Sequence, residues 1–169
     1  MPGVRQGKDG QLGVIKLMKN ELTTKEEFFA YERKKQEFFN KFYRDKNWPY
    51  KRIFGKENKK YDCVILINGK WIKVEEKHRI KTWPDMAVEL VQDTETNSPG
   101  WLYYTEADWI LYGMGEKIYL VEVEKLKEFV RKYKDKFNTK ISKKGWGITL
   151  NLIIPLSIII YNNIGRQVK

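Results

Sequence analysis

The chain has 169 residues, 41% of them apolar, with six Trp, ten Tyr, eight Phe and a formal net charge of +11. These are globular values, and the length suffices for one domain with its own core. The single cysteine, Cys63, excludes an internal disulfide and a cysteine-built zinc site, while the positive charge favours a polyanionic partner, most simply nucleic acid, over a surface that is merely lysine-rich for solubility.

Residues 1–20 carry Gly3, Gly7, Gly10 and Gly13 among Lys, Arg and Gln, and read as a flexible basic arm with a weak strand at Val14 to Met18. The domain proper is expected over residues 21–169. Thr23-Thr24-Lys25-Glu26-Glu27 is a helix start, since either Thr can cap with a Glu three residues on. The helix should run to Arg44, ahead of Asn47-Trp48-Pro49. At 100° per residue, Phe28, Phe39 and Phe42 form one stripe, and Glu32 and Lys35 fall inside it. Charged residues on a core-facing stripe are unexpected, and the ordinary explanation is an i,i+3 Glu32–Lys35 surface pair on a helix whose apolar face lies slightly to one side of this stripe.

Tyr50 to Phe54 reads as a short edge strand and Gly55 to Lys60 as a basic turn. A hairpin follows: an apolar run from Cys63, an Asn68-Gly69 turn, and a second run to Lys77. With those two residues as the turn, Ile67 pairs with Lys70, and counting outward sets Asp62 opposite Glu75. Residues two apart on a strand share a face, so Glu75 and Lys77 point with Asp62, and Glu76 and His78 point away. Two carboxylates and an ammonium converging on one spot suit Mg²⁺ and a phosphate.

His78 to Pro84 reads as a basic loop, Met86 to Val91 as a strand bearing Glu89, and Asn97-Ser98-Pro99-Gly100 as a turn. Trp101 to Tyr104 leads into a strand at Ala107 to Tyr112, then a Gly113-Met114-Gly115 turn and an antiparallel partner at Lys117 to Val123. Glu89 and Asp108 are either accessory acids or strand-end polar groups. Glu124 to Phe137 is an amphipathic helix buried through Leu126, Phe129, Val130, Tyr133 and Phe137. Lys127, Arg131 and Lys134 line one flank, as a phosphate track or a solvated face. Ile148 to Ile154 is the last strand, ended by Pro155. The run from Ile148 to Tyr161 includes Thr149, Asn151, Pro155 and Ser157, and falls short of the roughly 18 apolar residues of a membrane span. With no apolar leader and one reduced-type cysteine, a cytoplasmic setting is expected.

Asp62 opening one strand, and Glu75-Glu76-Lys77 closing its hairpin partner, resembles the PD-(D/E)xK nuclease superfamily, which includes restriction endonucleases and archaeal Holliday-junction resolvases. Tyr61 stands where that family usually has Pro. The resemblance implies an α/β (α+β) fold, a single domain with a mixed central β-sheet flanked by helices. It implies a metal-dependent endonuclease acting on DNA, with Asp62 and Glu75 holding Mg²⁺ or Mn²⁺ and Lys77 orienting the attacking water. The helix ahead of the hairpin would supply a further acid, Glu32 or, as the alternative, Glu27, and Glu76 would offer its backbone carbonyl. Cutting both strands with one such site calls for two copies, a homodimer. A nuclease-fold binder without catalysis, and an unrelated basic interaction module, are the competing classes.

Overall fold

The computed structural model describes residues 24–79, 81–144 and 147–169. The expected basic arm over residues 1–20, with its strand at Val14 to Met18, lies outside the described residues, as does Thr23. Helix α1 spans Lys25–Asp45. Thr24 caps it: its hydroxyl accepts the Glu27 N–H at 3.1 Å, and the Glu27 carboxylate accepts the Thr24 N–H at 3.0 Å. A cap of this kind contributes about 1 kcal/mol. The helix stops where Asn47 takes a left-handed φ of 54° ahead of Pro49.

Strand β1 (Tyr50–Arg52) pairs with β2 (Cys63–Ile67), and β2 with β3 (Lys70–Arg79). The register from Ile67↔Lys70 to Cys63↔Val74 is the one the Asn-Gly turn predicts. β3 runs two residues beyond the expected strand, through His78 and Arg79. It can do so because β6 (Trp109–Met114) lies parallel to it and pairs His78 with Gly113 and Arg79 with Met114. Gly113 fits there only without a side chain, since a Cβ would meet His78 Cδ2 at 2.8 Å and Phe38 at 2.9 Å. It is therefore strand, and the expected turn moves on to Gly115, at a φ of +58°.

The crossover from β3 to β6 contains β4 (Asp85–Asp93), β5 (Ser98–Pro99) and one helical turn, α2 (Trp101–Tyr104). β7 (Lys117–Glu122) then pairs antiparallel with β6, α3 covers Val123–Tyr133, and β8 (Thr139–Lys144) and β9 (Gly147–Pro155) form a hairpin. α4 (Leu156–Tyr161) and β10 (Gly165–Gln167) complete the chain, β10 returning to β7. The result is α/β with a mixed six-stranded sheet, ordered β1-β2-β3-β6-β7-β10. The expected single sheet is corrected in one respect: β5-β4-β9-β8 form a second, antiparallel sheet.

α1 covers one face of the mixed sheet, burying Phe39, Phe42 and Tyr43 against Cys63, Ile65 and Val74. Truncating such a Phe to Ala costs about 3–5 kcal/mol. The other core joins Ile110 and Tyr112 to Leu126 and Val130 of α3 and to Val88 and Leu152 of the second sheet. Among the described residues, no helix is long and apolar enough to cross a membrane.

Candidate active site

β3 sorts its three charged residues by parity. Glu76 points toward α1 and is fully buried. Its carboxylate accepts the Tyr43 hydroxyl at 2.6 Å and the Arg52 guanidinium at 2.7 Å, with the Cys63 thiol at 3.6 Å. Burial pushes the Glu76 carboxyl above its ordinary range, against the opposing pull of Arg52. This is a closed, satisfied network, and it leaves the Glu76 side chain no part in a site on the other face.

Glu75 and Lys77 share the opposite face. Lys77 Nζ lies 2.5 Å from Glu75 Oε1 and 5.0 Å from the ring centroid of Trp101. Glu75 is 7% exposed. Burial raises its carboxyl above the usual range, Lys77 pulls it down, and the Asp62 charge pushes it up again. Asp62 is thus electrostatically adjacent to Glu75, as the register predicts, but it does not continue the ladder. Its N–H donates to the Val74 carbonyl at 2.9 Å, and its carboxylate accepts the Glu76 N–H at 2.7 Å. The side chain takes the place of a main-chain acceptor and is anchored at the strand end by that bond.

α1 adds a lysine to this centre. Lys35 pairs with Glu32 at 2.8 Å. Burial pulls the Lys35 ammonium down, but the carboxylates of Asp62, Glu32 and Glu76 outweigh that and raise it. The i,i+3 pair foreseen between Glu32 and Lys35 is therefore real, and it sits half-buried beside Asp62 rather than on open surface. Glu27 is used by the Thr24 cap at the exposed helix start.

α2 closes the site from the crossover. Gly100, its N-cap, packs onto the Glu89 backbone so tightly that a Cβ would overlap the Glu89 carbonyl. Trp101 then stacks on Lys77. One turn on, the Tyr104 hydroxyl is pushed up to about 12 by burial and by Glu89, Glu75 and Asp62. Tyr104 thus senses all three carboxylates, and Glu89 is buried. Trp101, Tyr104 and Lys35 are the members that sequence reasoning does not assign.

The remaining candidates lie elsewhere. His78 is held by α1: the Tyr31 hydroxyl donates to its carbonyl at 2.8 Å and contacts Nδ1 at 3.1 Å, and Phe38 packs edge-on at 5.1 Å. Asp108 clamps β6 to β3 by accepting the Lys73 N–H at 2.8 Å. On α3, Lys127 reaches the Thr105 carbonyl at 3.3 Å and Glu124 at 3.4 Å, whereas Arg131 and, just past the helix end, Lys134 are exposed.

Among the described residues, no three His, Cys, Asp or Glu side chains are grouped to hold a metal as they stand. What the site offers is a pair of carboxylates, Asp62 and Glu75, each engaged by a group that a cation can replace or complement. Mg²⁺ commonly takes one or two carboxylates and keeps several waters, so this donor set suits it. No family model, no curated protein and no solved structure matches the chain.

Proposed function

We propose that the chain is a Mg²⁺- or Mn²⁺-dependent endonuclease of the PD-(D/E)xK type acting on DNA, with a restriction-endonuclease-like core to which the second sheet is an addition. The observation that supports this reading is that Glu75 and Lys77 pair on one face of β3 while Asp62 lies at the strand end, its carboxylate on the Glu76 N–H and its charge felt by Glu75. The mixed sheet, with a helix ahead of the hairpin, and the net charge of +11 support it. Asp62 and Glu75 would hold the metal, with the Glu76 carbonyl and Glu32 as further oxygen donors. When bound, such a metal would supply an acidified water and charge neutralisation for phosphodiester hydrolysis. Lys77, held by Trp101 and Glu75, would orient the attacking water and offset negative charge developing on the phosphate. A homodimer would bring two such sites to the two strands.

One observation favours a second reading, a nucleic-acid-binding protein without catalysis: Lys35 and Lys77 already neutralise the carboxylates. Incubation with plasmid, linear, branched and single-stranded substrates separates the two. Cleavage with Mg²⁺ or Mn²⁺ that stops in chelator is expected. Binding with no cleavage of any substrate supports the second reading.

A further inference from the structure

Trp83 gathers three cations, two from its own segment and one from the edge of the second sheet. The Arg79 guanidinium lies 5.1 Å from its ring centroid, the Lys81 ammonium 5.6 Å and the Lys140 ammonium 4.7 Å. Arg79 ends β3, Lys81 lies in the segment before β4, and Lys140 belongs to β8 in the other sheet. Like charges drawn together repel. The ring offsets this by cation–π attraction, and Asp85 pairs with Arg79. Among the described residues, Lys140 has the Trp83 ring and no carboxylate. A fixed cationic group of this kind, built on an aromatic plate, suits a phosphate: Arg supplies a fork of donors and Lys a point charge.

Its position ties it to the candidate active site. Arg79 lies on the same face of β3 as Glu75 and Lys77, two residues further on, which is about 7 Å along the strand. Lys140 is opposed to Asn151, and Asn151 to Glu89, so the three share a face of the second sheet. Lys140 is thus about 10 Å, two strand spacings, from Glu89.

We propose that Arg79, Lys81 and Lys140, assembled on Trp83, hold a backbone phosphate of a nucleic acid strand next to the one at Lys77, and so set the strand's path across the site. The proposal rests on the nucleic-acid reading above. The test uses full-length Asp62→Asn protein, which keeps bound DNA intact, with a fluorescein-labelled duplex and the matching single strand, followed by anisotropy over a salt series. Adding Lys140→Gln should reduce the log–log salt slope by about 0.9 on duplex, or about 0.7 on single strand. Adding Trp83→Leu, which removes no charge, should weaken binding several-fold by dispersing the cations. Circular dichroism checks folding, and if Trp83→Leu unfolds, Lys140→Gln at its exposed position decides alone. Unchanged slope and affinity overturn the proposal. If the parent cleaves but these variants bind normally, only the Trp83 site falls. If binding depends on the cluster but the parent cleaves nothing, only the nuclease reading falls. If neither probe binds, both fall.

Discussion

Gly100 lies against the Glu89 backbone with no space for a Cβ between them. That contact seats α2 on β4, and α2 delivers Trp101 to Lys77 and Tyr104 to the carboxylates. Gly100→Ala must push α2 away from the strand. Overpacking of this kind costs about 1–3 kcal/mol, a fall in Tm of about 2–12 °C for a chain of this size. Thermal unfolding and cleavage rate should fall together in this variant, although residue 100 touches no reacting group. Full activity in a normally stable Gly100→Ala protein would show that α2 does not organise the site.

Glu75 and Glu76 are neighbours with opposite duties, and Gln at each position separates them. The raised Glu75 carboxyl means that the folded state carries its charge at a penalty. Its contribution is present at acid pH and lost as pH rises through the folded pKa. Glu75→Gln should therefore be at least as stable as the parent at neutral pH, yet inactive. The Glu76 carboxyl is raised by burial as well, but Glu76→Gln leaves the largely buried Arg52 guanidinium without its anion, whereas Lys77 keeps solvent and the Trp101 ring. The unpaired cation is the larger cost, so this variant should lose stability and reduce activity only through loss of folded protein. Lys77→Met should abolish cleavage while binding DNA nearly as well as the parent, having lost one charge of many. Urea denaturation beside single-turnover cleavage reads both properties.

His78 is the only histidine, so acid sensitivity in its range can be assigned. Burial and Lys35 lower its pKa, while a backbone hydrogen bond with Gly115 and the charge of Glu116 oppose them. As pH falls below about 6.5, the unfolded chain takes up the proton first. Stability is therefore full above that value and lost as pH falls through the folded pKa. His78→Gln should flatten this loss between neutral and mildly acid pH and keep most of the cleavage. An inactive His78→Gln protein beside an active Lys77→Met protein would reverse the assigned register.

The hairpin is legible because its signals are local. Asn68-Gly69 sets the register, and alternation alone separates Glu75 and Lys77 from Glu76. The second sheet is not legible in the same way. β8 reads Thr-Lys-Ile-Ser-Lys-Lys, and its one apolar residue, Ile141, is 62% exposed, so it carries no strand periodicity. α4 contains three successive isoleucines, a strand-like run that Pro155 and tertiary burial of Leu156 and Ile159 turn into helix. Within the site, Lys35, Trp101 and Tyr104 come from elements remote in sequence, and no spacing rule joins them to Asp62. Lys35 is visible only as a charge on an apolar stripe. Its half-buried position among carboxylates explains that anomaly.

By sequence, the flank of α3 carrying Lys127, Arg131 and Lys134 is either a solvated face or placed to track phosphates. With Lys127 held by Thr105 and Glu124, Arg131 and Lys134 are the residues available to do so. Replacing all three by Gln should lower the salt slope on duplex DNA by about 1.8, the share of two phosphates. An unchanged slope would show that α3 faces away from the nucleic acid.

The central claim is that Asp62 and Glu75 together hold a divalent cation, and Mn²⁺ titration followed by electron paramagnetic resonance tests it without needing the right substrate. The parent protein should remove free Mn²⁺ from solution, and Asp62→Asn and Glu75→Gln should each lose that binding while Glu76→Gln, where folded, keeps it. A parent that binds no Mn²⁺, or variants at Asp62 and Glu75 that bind it as the parent does, would contradict the assignment of this hairpin end as a metal site.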